Sequence, residues 1–405
     1  MQDRAIANSS DVEFAGPSIA NPAVGEGDIP AIDEFLAGLG RPGPMVWPTD
    51  LAPVSASAVM QRVNFHGVVH QLHARLPELA NFPAGLLQDL RKAAALQALW
   101  EESHRATLVH VLELFHAAGI DVLVMKGTAL AYSLYPSAAA RSRTDSDLLV
   151  RKEQLARARE ILGECGYDCL AQGRIFQESW WADSGIGFVH SFDLHWQVTN
   201  MPALRRLFDV EECFARSRPL PKLCGSARGT DPVTTFMQGC VNQSLHEHYG
   251  YYVDGEKLKG TVRLIWLLDN HLLASSFSQE DWSELTGSVM QRHLAPICLA
   301  MLEQTVSLFG TQVPQATLEQ WRAAPSTNWV THYIGTANGF SRFRSDLQGC
   351  PDMRSRFDLV TARLCPGRDQ MRERFPDLGD WPLPILYLLR LVAGPFRLLA
   401  RRSRS

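Results

Sequence analysis

The sequence lacks an apolar leader, a paired cysteine motif and an excess of positive charge. The residues after Met1 show no hydrophobic stretch of the kind that begins a secretion signal, so we expect a cytoplasmic protein. The eight cysteines are scattered without a Cys-x-x-Cys pair, which argues against a zinc site and predicts small core residues in a reducing compartment. The 39 basic and 43 acidic residues give a net charge of -4, which provides no electrostatic basis for nucleic acid as a partner.

What is present is the composition of a globular protein. Of the 405 residues, 46% are hydrophobic and 20% are charged, which suffices for two or three domains with a real core. Changes in hydrophobic periodicity divide the chain. We predict a disordered tail at 1–48, a helical segment at 49–118, an α/β core at 119–200, a linker at 201–231, an all-helical domain at 232–380 and a basic amphipathic segment at 381–405.

The core segment alternates between strand-like and helix-like patterns. Apolar, β-branched runs predict strands, and longer stretches bounded by glycine predict helices. Such an alternation indicates an α+β fold in which a mixed sheet carries flanking helices. The expected strands are 121–126, 144–150, 167–171 and 187–198, and the expected helices are 128–134 and 153–165.

A long helix is expected just before this core, at 84–118. Its leucines recur at helical spacing, and Gly119 provides the glycine that commonly ends a helix. Its histidines, His104, His110 and His116, are six residues apart and so do not share one helical face. We interpret them as surface or boundary residues.

Two pairs of aromatic residues, one of tryptophans and one of histidines, each allow two interpretations of their role. Trp180 and Trp181 fall in an expected loop at 173–185, where they would stack on a base or cap the sheet. His246 and His248 are two residues apart, so their side chains diverge on a helix. That spacing favours a structural role over a metal site.

The stretch at 122–128 reads VLVMKGT and predicts a buried strand that turns directly into a helix. Gly127 would let the backbone approach a ligand closely, and the free N–H groups of a helix start favour an anion. Thr128 adds a hydroxyl group at the same turn. Lys126, beside the glycine, and Arg141, whose guanidinium is a planar fork, are further candidates for binding phosphate oxygens.

Acidic residues follow on the next expected strands. Side chains alternate in direction along a strand, so Asp145 and Asp147 leave the same face. Such a pair repels itself unless a cation lies in front of it, and Mg²⁺ is bound by one or two carboxylates together with phosphate oxygens. On the strand at 187–198, Asp193 shares a face with His195. Three acidic groups on adjacent strands are what a two-metal phosphoryl-transfer site requires. An exposed strand edge is the alternative, but aspartate is depleted in strands.

These residues together resemble the nucleotidyltransferase superfamily of the polymerase-β type. Gly127 and Thr128 match its phosphate loop. Asp145 and Asp147 match its metal-binding pair, and Asp193 matches its third carboxylate. The surrounding sequences LVMKG, RxxxDxDLLV and DLHW are similar to a bacterial, largely uncharacterised nucleotidyltransferase family, which the longer spacing between loop and pair also suits.

The resemblance implies Mg²⁺-dependent transfer of a nucleoside monophosphate from a nucleoside triphosphate, with ATP as the default. Two Mg²⁺ ions are implied as cofactors, and the acceptor is a hydroxyl group on a small molecule, peptide or protein. Asp269, at the end of an apolar run, resembles a residue of the helical half that packs beside the active site of this family. Two alternatives stay open: a nucleotide-binding or regulatory protein without turnover, and a phosphoryl or sugar-phosphate transferase that modifies peptides or natural products.

The two ends of the chain carry separate expectations. A short helix is expected near 33–39, and its docking onto the body through Phe35 and Leu36 is the alternative to a disordered tail. The segment 381–405 combines an apolar face with an arginine cluster and is too interrupted to cross a bilayer. It suits a helix at the inner membrane surface or in a partner groove, and packing onto the helical domain is the alternative.

Overall fold

The computed structural model describes residues 29–48, 56–169, 176–253, 256–258, 262–336, 338–364, 371, 378 and 381–389. Within these residues, N-terminal helices, a mixed sheet and a helical half follow one another along the chain. None of the helices in these ranges combines the length and the apolar character that a membrane span needs. The predicted α+β class, with helices before and after the sheet, is confirmed.

The N-terminal helices are organised around one long helix. The elements are α1 (Ile29–Ala37), α2 (Ala56–His66), α3 (Val69–Ala74) and α4 (Ala84–Ala117), with a short parallel pair of β1 (Met45–Val46) and β2 (Leu79–Ala80). As predicted, α4 is a single helix of 34 residues, and Gly119 follows it with a left-handed φ of 69°. Leu90 in its first half packs with α2 and α3, and Leu112 in its second half packs beneath the sheet. The helix therefore joins the two cores.

Residues 29–48 of the predicted tail belong to this N-terminal unit. Phe35 and Leu36 of α1 are buried in its core. Asp33 accepts hydrogen bonds from the guanidinium of Arg62 on α2 at 2.6 and 2.8 Å. The prediction of disorder is wrong here, because the few large apolar residues of the segment meet a complementary surface, and the docking alternative is confirmed. The residues before this segment lie outside the described part of the chain.

The centre of the molecule is a seven-stranded mixed sheet. Its strands are β3 (Val122–Met125), β4 (Ser146–Val150), β5 (Asp168–Cys169), β6 (Gln177–Asp183), β7 (Val189–His195), β8 (Arg218–Pro219) and β9 (Arg228–Gly229), in the spatial order β5-β6-β7-β4-β3-β9-β8. β4 runs antiparallel to β3 and parallel to β7, and β3 runs parallel to β9. The intervening helices are α5 (Lys126–Ser133), α6 (Leu155–Glu164) and α7 (Val210–Arg216). The strand that leads into Lys126, β3, and the strands that carry Asp147 and Asp193, β4 and β7, are thus central neighbours.

Two stretches predicted to be irregular supply strands of this sheet. Trp180 and Trp181 lie in β6, and Trp180 is buried in the core with Phe192. The prediction of a loop at 173–185 is wrong for these residues, because β6 pairs with β7 along its whole length and so satisfies its backbone groups. The linker predicted at 201–231 likewise contains β8 and β9, and β9 pairs with β3.

The helical half packs against the sheet through a shared core. Its helices are α8 (Pro232–Tyr249), α9 (Leu264–Ser276), α10 (Gln279–Gln291), α11 (Ala295–Phe309), α12 (Gln315–Ala323), α13 (Trp329–Gly335), α14 (Gly339–Gly349) and α15 (Met353–Leu364), and a hairpin of β10 (Tyr251–Val253) and β11 (Glu256–Leu258) follows α8. As predicted, α8 begins at Pro232, where Asp231 accepts hydrogen bonds from two N–H groups of the first turn at 3.1 Å. Met125 and Leu149 of the sheet share one hydrophobic cluster with Phe236 of α8. This contact fixes the helical half beside the site strands.

Of the amphipathic segment predicted at 381–405, the structure describes 381–389. Residues 383–389 are helical, with Leu386 buried and Leu388 61% exposed. The arginine cluster lies outside the described residues. Contact of this segment with a membrane or a partner stays a prediction.

Candidate active site

The turn from β3 into α5 has a strained backbone and a closely packed arginine. Lys126, the first residue of α5, has a left-handed φ of 50°, a conformation that costs energy in a residue with a side chain and is common at functional turns. At the next residue, Gly127, a Cβ atom would lie 3.2 Å from the guanidinium of Arg141. A side chain at this position would have to displace the guanidinium of Arg141, which lies directly against the backbone.

Arg141 and Thr128 hold this turn through internal contacts. The Nε and Nη2 atoms of Arg141 donate to both carboxylate oxygens of Asp269 on α9, at 2.7 to 2.9 Å. The hydroxyl of Tyr135 donates to the same carboxylate at 2.7 Å, and burial together with the charge of Asp269 raises the pKa of Tyr135 well above its usual value. Thr128 is 1% exposed, and its hydroxyl donates to Oγ of Ser146 at 2.9 Å. The structure places both side chains as anchors of the turn, and a direct phosphate contact by either one stays a prediction.

Asp147 and Asp193 are brought together by strand pairing. They are opposed residues on β4 and β7, so their side chains leave the same face of the sheet. Potential ligand atoms of Asp147, Asp193 and His195 all lie within 4.8 Å of one another, which makes a group able to hold a metal ion. Sequence reasoning noted that His195 shares a face with Asp193 but gave it no role.

Asp147 is surrounded by hydrogen-bond donors. Its Oδ1 atom accepts from Nζ of Lys126 at 2.5 Å and from Nε2 of His195 at 2.8 Å. Burial alone would raise the pKa of Asp147, but the charge of Lys126 and the hydrogen bond from His195 hold that pKa well below its usual range. Asp147 is therefore a fixed, ionised carboxylate with one side committed to these two donors.

Asp193 is held by two residues that sequence reasoning missed. Oγ of Ser179 donates to its Oδ1 atom at 2.5 Å, and the side-chain amide of Gln177 donates to its Oδ2 atom. Both donors lie on β6. Because this segment was predicted to be a loop, the sequence pattern did not indicate that their side chains lie on the same face of the sheet as Asp193. Burial, and next the charge of Asp147, raise the pKa of Asp193 above its usual value.

Asp145 lies one residue before β4 and is half-buried. Within the described residues its carboxylate makes no hydrogen bond. Burial, and then the charges of Asp147 and Asp193, raise the pKa of Asp145 to about 7. The structure thus places Asp145 within electrostatic reach of the other two carboxylates but outside the group of closely converging ligand atoms.

The donor set fits a hard divalent cation. Three carboxylates face one ammonium group, that of Lys126, so negative charge is in excess at a largely buried position. Carboxylate oxygens are ligands that Mg²⁺ prefers. Imidazole favours transition metals, but Nε2 of His195 already donates to Asp147. We therefore assign His195 to orienting the carboxylate and not to the ligand set.

The reverse face of the sheet carries a buried histidine cluster. His104 is fully buried, stacks on Trp100 at 4.5 Å between ring centroids and is hydrogen-bonded with Oγ of Ser146 at 2.7 Å. His190 lies 3.3 Å from it between Nδ1 atoms. The prediction that His104 is a surface or boundary residue is wrong, because α4 continues under the sheet and Ser146 satisfies the ring. The cluster supports β4 from behind the carboxylates.

A cavity of about 50 Å³ lies on the helical side of the turn from β3 into α5. It has room for a few water molecules. Its lining includes Lys126 and Gly127 of the turn and amide residues of α8 and α9, among them Asn242, Gln243 and Asn270. His246 stacks on Trp266 at 5.4 Å between centroids, which agrees with a structural role for His246. Burial, and then the charge of Lys126, lower the pKa of His246 to about 4.

Comparison with known proteins agrees with this geometry. No curated protein matches the chain. A protein-family model matches residues 52–310, which include α2 to α11 and the whole sheet that carries the candidate site. The resemblance found in the motifs is thereby confirmed. The chain belongs to the uncharacterised nucleotidyltransferase family and is a transferase of phosphorus-containing groups.

Proposed function

We propose that this protein transfers a nucleoside monophosphate from a nucleoside triphosphate, with ATP as the default, to a hydroxyl group of a small molecule, peptide or protein. The reaction depends on Mg²⁺. The observation that carries the proposal is the pairing of Asp147 with Asp193 across two central strands, beside the turn at Lys126. Family membership supports the reaction class, and the carboxylates support the metal.

Asp145, Asp147 and Asp193 would hold two Mg²⁺ ions. Bound there, the ions supply neutralising charge at the reacting phosphate and acidify the acceptor hydroxyl. Oδ1 of Asp147 already accepts from Lys126 and His195, so Oδ2 is the oxygen available to a metal. The carboxylate of Asp145 makes no hydrogen bond within the described residues and has a pKa raised to about 7, so a cation would stabilise its ionised form.

Asp193 is the residue proposed to orient or deprotonate the acceptor. Its raised pKa makes it a stronger base than an ordinary aspartate, and a general base works best when its pKa approaches the working pH. Ser179 and Gln177 fix the orientation of the carboxylate. The proton would pass from the acceptor hydroxyl to a carboxylate oxygen of Asp193 while the hydroxyl oxygen attacks the α-phosphorus, and the bond from that phosphorus to the bridging oxygen would break to release pyrophosphate.

The start of α5 is the proposed triphosphate site. The first N–H groups of a helix have no partner within the helix, and the helix dipole favours negative charge at this end. Lys126, the first residue of α5, adds an ammonium group on a side chain that is 25% exposed. These groups would bind phosphate oxygens and the pyrophosphate that leaves.

The proposal is tested with ATP labelled at either the α- or the γ-phosphate and incubated with Mg²⁺ and cell extract fractions. We expect pyrophosphate release and transfer of the α-label to an acceptor. Both should be lost in Asp147→Asn and kept in Asp183→Asn, the same change at an exposed position of β6. Transfer of the γ-label would favour a phosphoryl transferase instead. Nucleotide binding without release of pyrophosphate would favour a regulatory protein.

A further inference from the structure

Lys126 lies where a cation is needed. Its Nζ atom is 2.5 Å from Oδ1 of Asp147, and the charges of Asp193 and Asp145 also act on it. This short ion pair with a carboxylate favours the charged form of the Lys126 side chain. The protein thus supplies its own counter-ion to the carboxylates.

The same side chain has room to leave Asp147. The Lys126 side chain is 25% exposed, whereas that of Asp147 is 9% exposed. Lys126 also lines the cavity beside the turn, together with Gly127 and Gln243. Its side chain therefore reaches Asp147 from the start of α5, where phosphate is expected.

We propose that Lys126 is a displaceable counter-ion. In the free protein it holds Asp147 in place of a metal ion, and when the nucleoside triphosphate binds it moves to the phosphates. Divalent metal and nucleotide then bind together and only weakly apart. The inference rests on the proposed function, because the triphosphate is the new partner of Lys126.

The physical basis is repulsion between charges of the same sign. An ammonium group and a divalent ion on one carboxylate repel each other, and at a largely buried position solvent and salt screen this repulsion poorly. Metal binding is therefore opposed while Lys126 stays on Asp147. A triphosphate brings negative charge to the start of α5, so Lys126 gains a partner at the same time as the metal gains Asp147. Coupling of this kind is reciprocal between the two ligands.

The experiment measures Mn²⁺ binding by electron paramagnetic resonance, with and without a non-hydrolysable ATP analogue. For Mn²⁺ alone, we expect Lys126→Gln to bind about tenfold more tightly than the wild type, because the repulsion is gone. For the analogue in the presence of Mn²⁺, the same variant should bind about tenfold more weakly, because a phosphate ligand is lost. Lys126→Arg keeps the charge and should bind Mn²⁺ alone as weakly as the wild type. Lys92→Gln, at an exposed position of α4, is the matched control.

A Lys126→Gln variant that binds Mn²⁺ alone no more tightly than the wild type would overturn the inference. Failure of the analogue to bind either protein would contradict the proposed function, and the comparison with Mn²⁺ alone would still decide whether Lys126 competes with metal.

A second test uses nitrogen-15 NMR of the Lys126 ammonium group in the wild type, so it does not depend on whether a variant folds. Its resonance should shift with Mg²⁺ and analogue together and not with Mg²⁺ alone; the opposite pattern, or no shift, overturns the inference.

Discussion

Asp147 and Asp193 are opposed residues on adjacent parallel strands, and neither is free to turn away from the other. Lys126 and His195 hold the first, and β6 holds the second. Strand register therefore sets the distance between the carboxylates before any ligand arrives. Preorganised charge of this kind is what metal-assisted phosphoryl transfer requires.

Replacing Asp193 by asparagine should abolish most turnover while the fold is kept. The amide retains the shape of the side chain but cannot take the proton of the acceptor, and loss of a general base typically costs about 10²- to 10⁴-fold in kcat. Pyrophosphate release, measured by a coupled assay, gives the rate. Asp183→Asn on the neighbouring strand should change it by less than about twofold. An Asp193→Asn variant whose kcat is close to that of the wild type would show that Asp193 does not take part in the reaction.

Metal affinity should depend on pH through Asp145. The pKa of this carboxyl group is raised to about 7, and a carboxyl group must lose its proton to bind a metal. Affinity for Mn²⁺, measured by titration calorimetry, should therefore rise by roughly tenfold between about pH 6 and about pH 8. Asp145→Asn should bind more weakly and show a smaller rise. Equal rises in the two proteins would assign the dependence to another group.

The same raised pKa of Asp145 predicts how the stability of the metal-free protein depends on pH. The pKa of Asp145 moves from 3.8 to about 7 on folding, so the folded protein holds this proton more tightly than the unfolded chain does. The stability that this proton contributes is fully present below about pH 4 and is lost as the pH rises through about 7. With a chelator present, the thermal midpoint should fall more steeply with rising pH in the wild type than in Asp145→Asn. Parallel slopes would contradict the raised pKa.

Gly127→Ala should destabilise the turn from β3 into α5. The new Cβ atom would lie 3.2 Å from the guanidinium of Arg141, which cannot yield easily because its Nε and Nη2 atoms donate to Asp269. Overpacking of this kind costs about 1 to 3 kcal/mol, measured by denaturant unfolding. Gly163→Ala in α6, where the added atom meets nothing within 4 Å, should be neutral or stabilising by up to about 1 kcal/mol. Equal effects at the two sites would show that the arginine contact is not what demands glycine.

Asp269→Asn should cost more stability than an equivalent change in an exposed ion pair. Arg141 and Asp269 are 8% and 9% exposed, so the variant leaves a buried guanidinium without its counter-charge, which costs about 3 to 5 kcal/mol. Glu303→Gln, whose partner Arg322 is half exposed, should cost less than about 1 kcal/mol. Nucleotide affinity should fall in Asp269→Asn as well, since Arg141 supports the turn. Similar unfolding free energies in the two variants would contradict the role of Asp269 as the buried counter-charge of Arg141.

Local patterns predicted the parts of the site that depend on neighbouring residues in the chain. The strand and turn at 122–128, the long helix α4 and the shared face of Asp193 and His195 all follow from short-range periodicity. The aspartates were identifiable because carboxylates are costly in strands without a cation. These features need no knowledge of the rest of the fold.

Contacts between segments that are far apart in the sequence could not be predicted from short-range periodicity. β6 was assigned to a loop, since its pairing with β7 is what makes it a strand, and Ser179 and Gln177 were missed with it. The assignment of Arg141 to phosphate stays a prediction, but its ion pair with Asp269, 128 residues away, does not follow from local pattern. His104 was placed near the surface because α4 alone does not reveal that Ser146 lies above it. Each error comes from tertiary contacts that override local preference.

The most direct test is a crystal structure of the protein with Mn²⁺ and a non-hydrolysable ATP analogue, using the anomalous scattering of manganese. We predict a manganese peak at about 2.1 Å from carboxylate oxygens of Asp147 and Asp193. The phosphates of the analogue should lie at the start of α5, within hydrogen-bond distance of Lys126. Nucleotide bound elsewhere on the protein, or phosphates at the turn with no manganese between Asp147 and Asp193, would contradict the account.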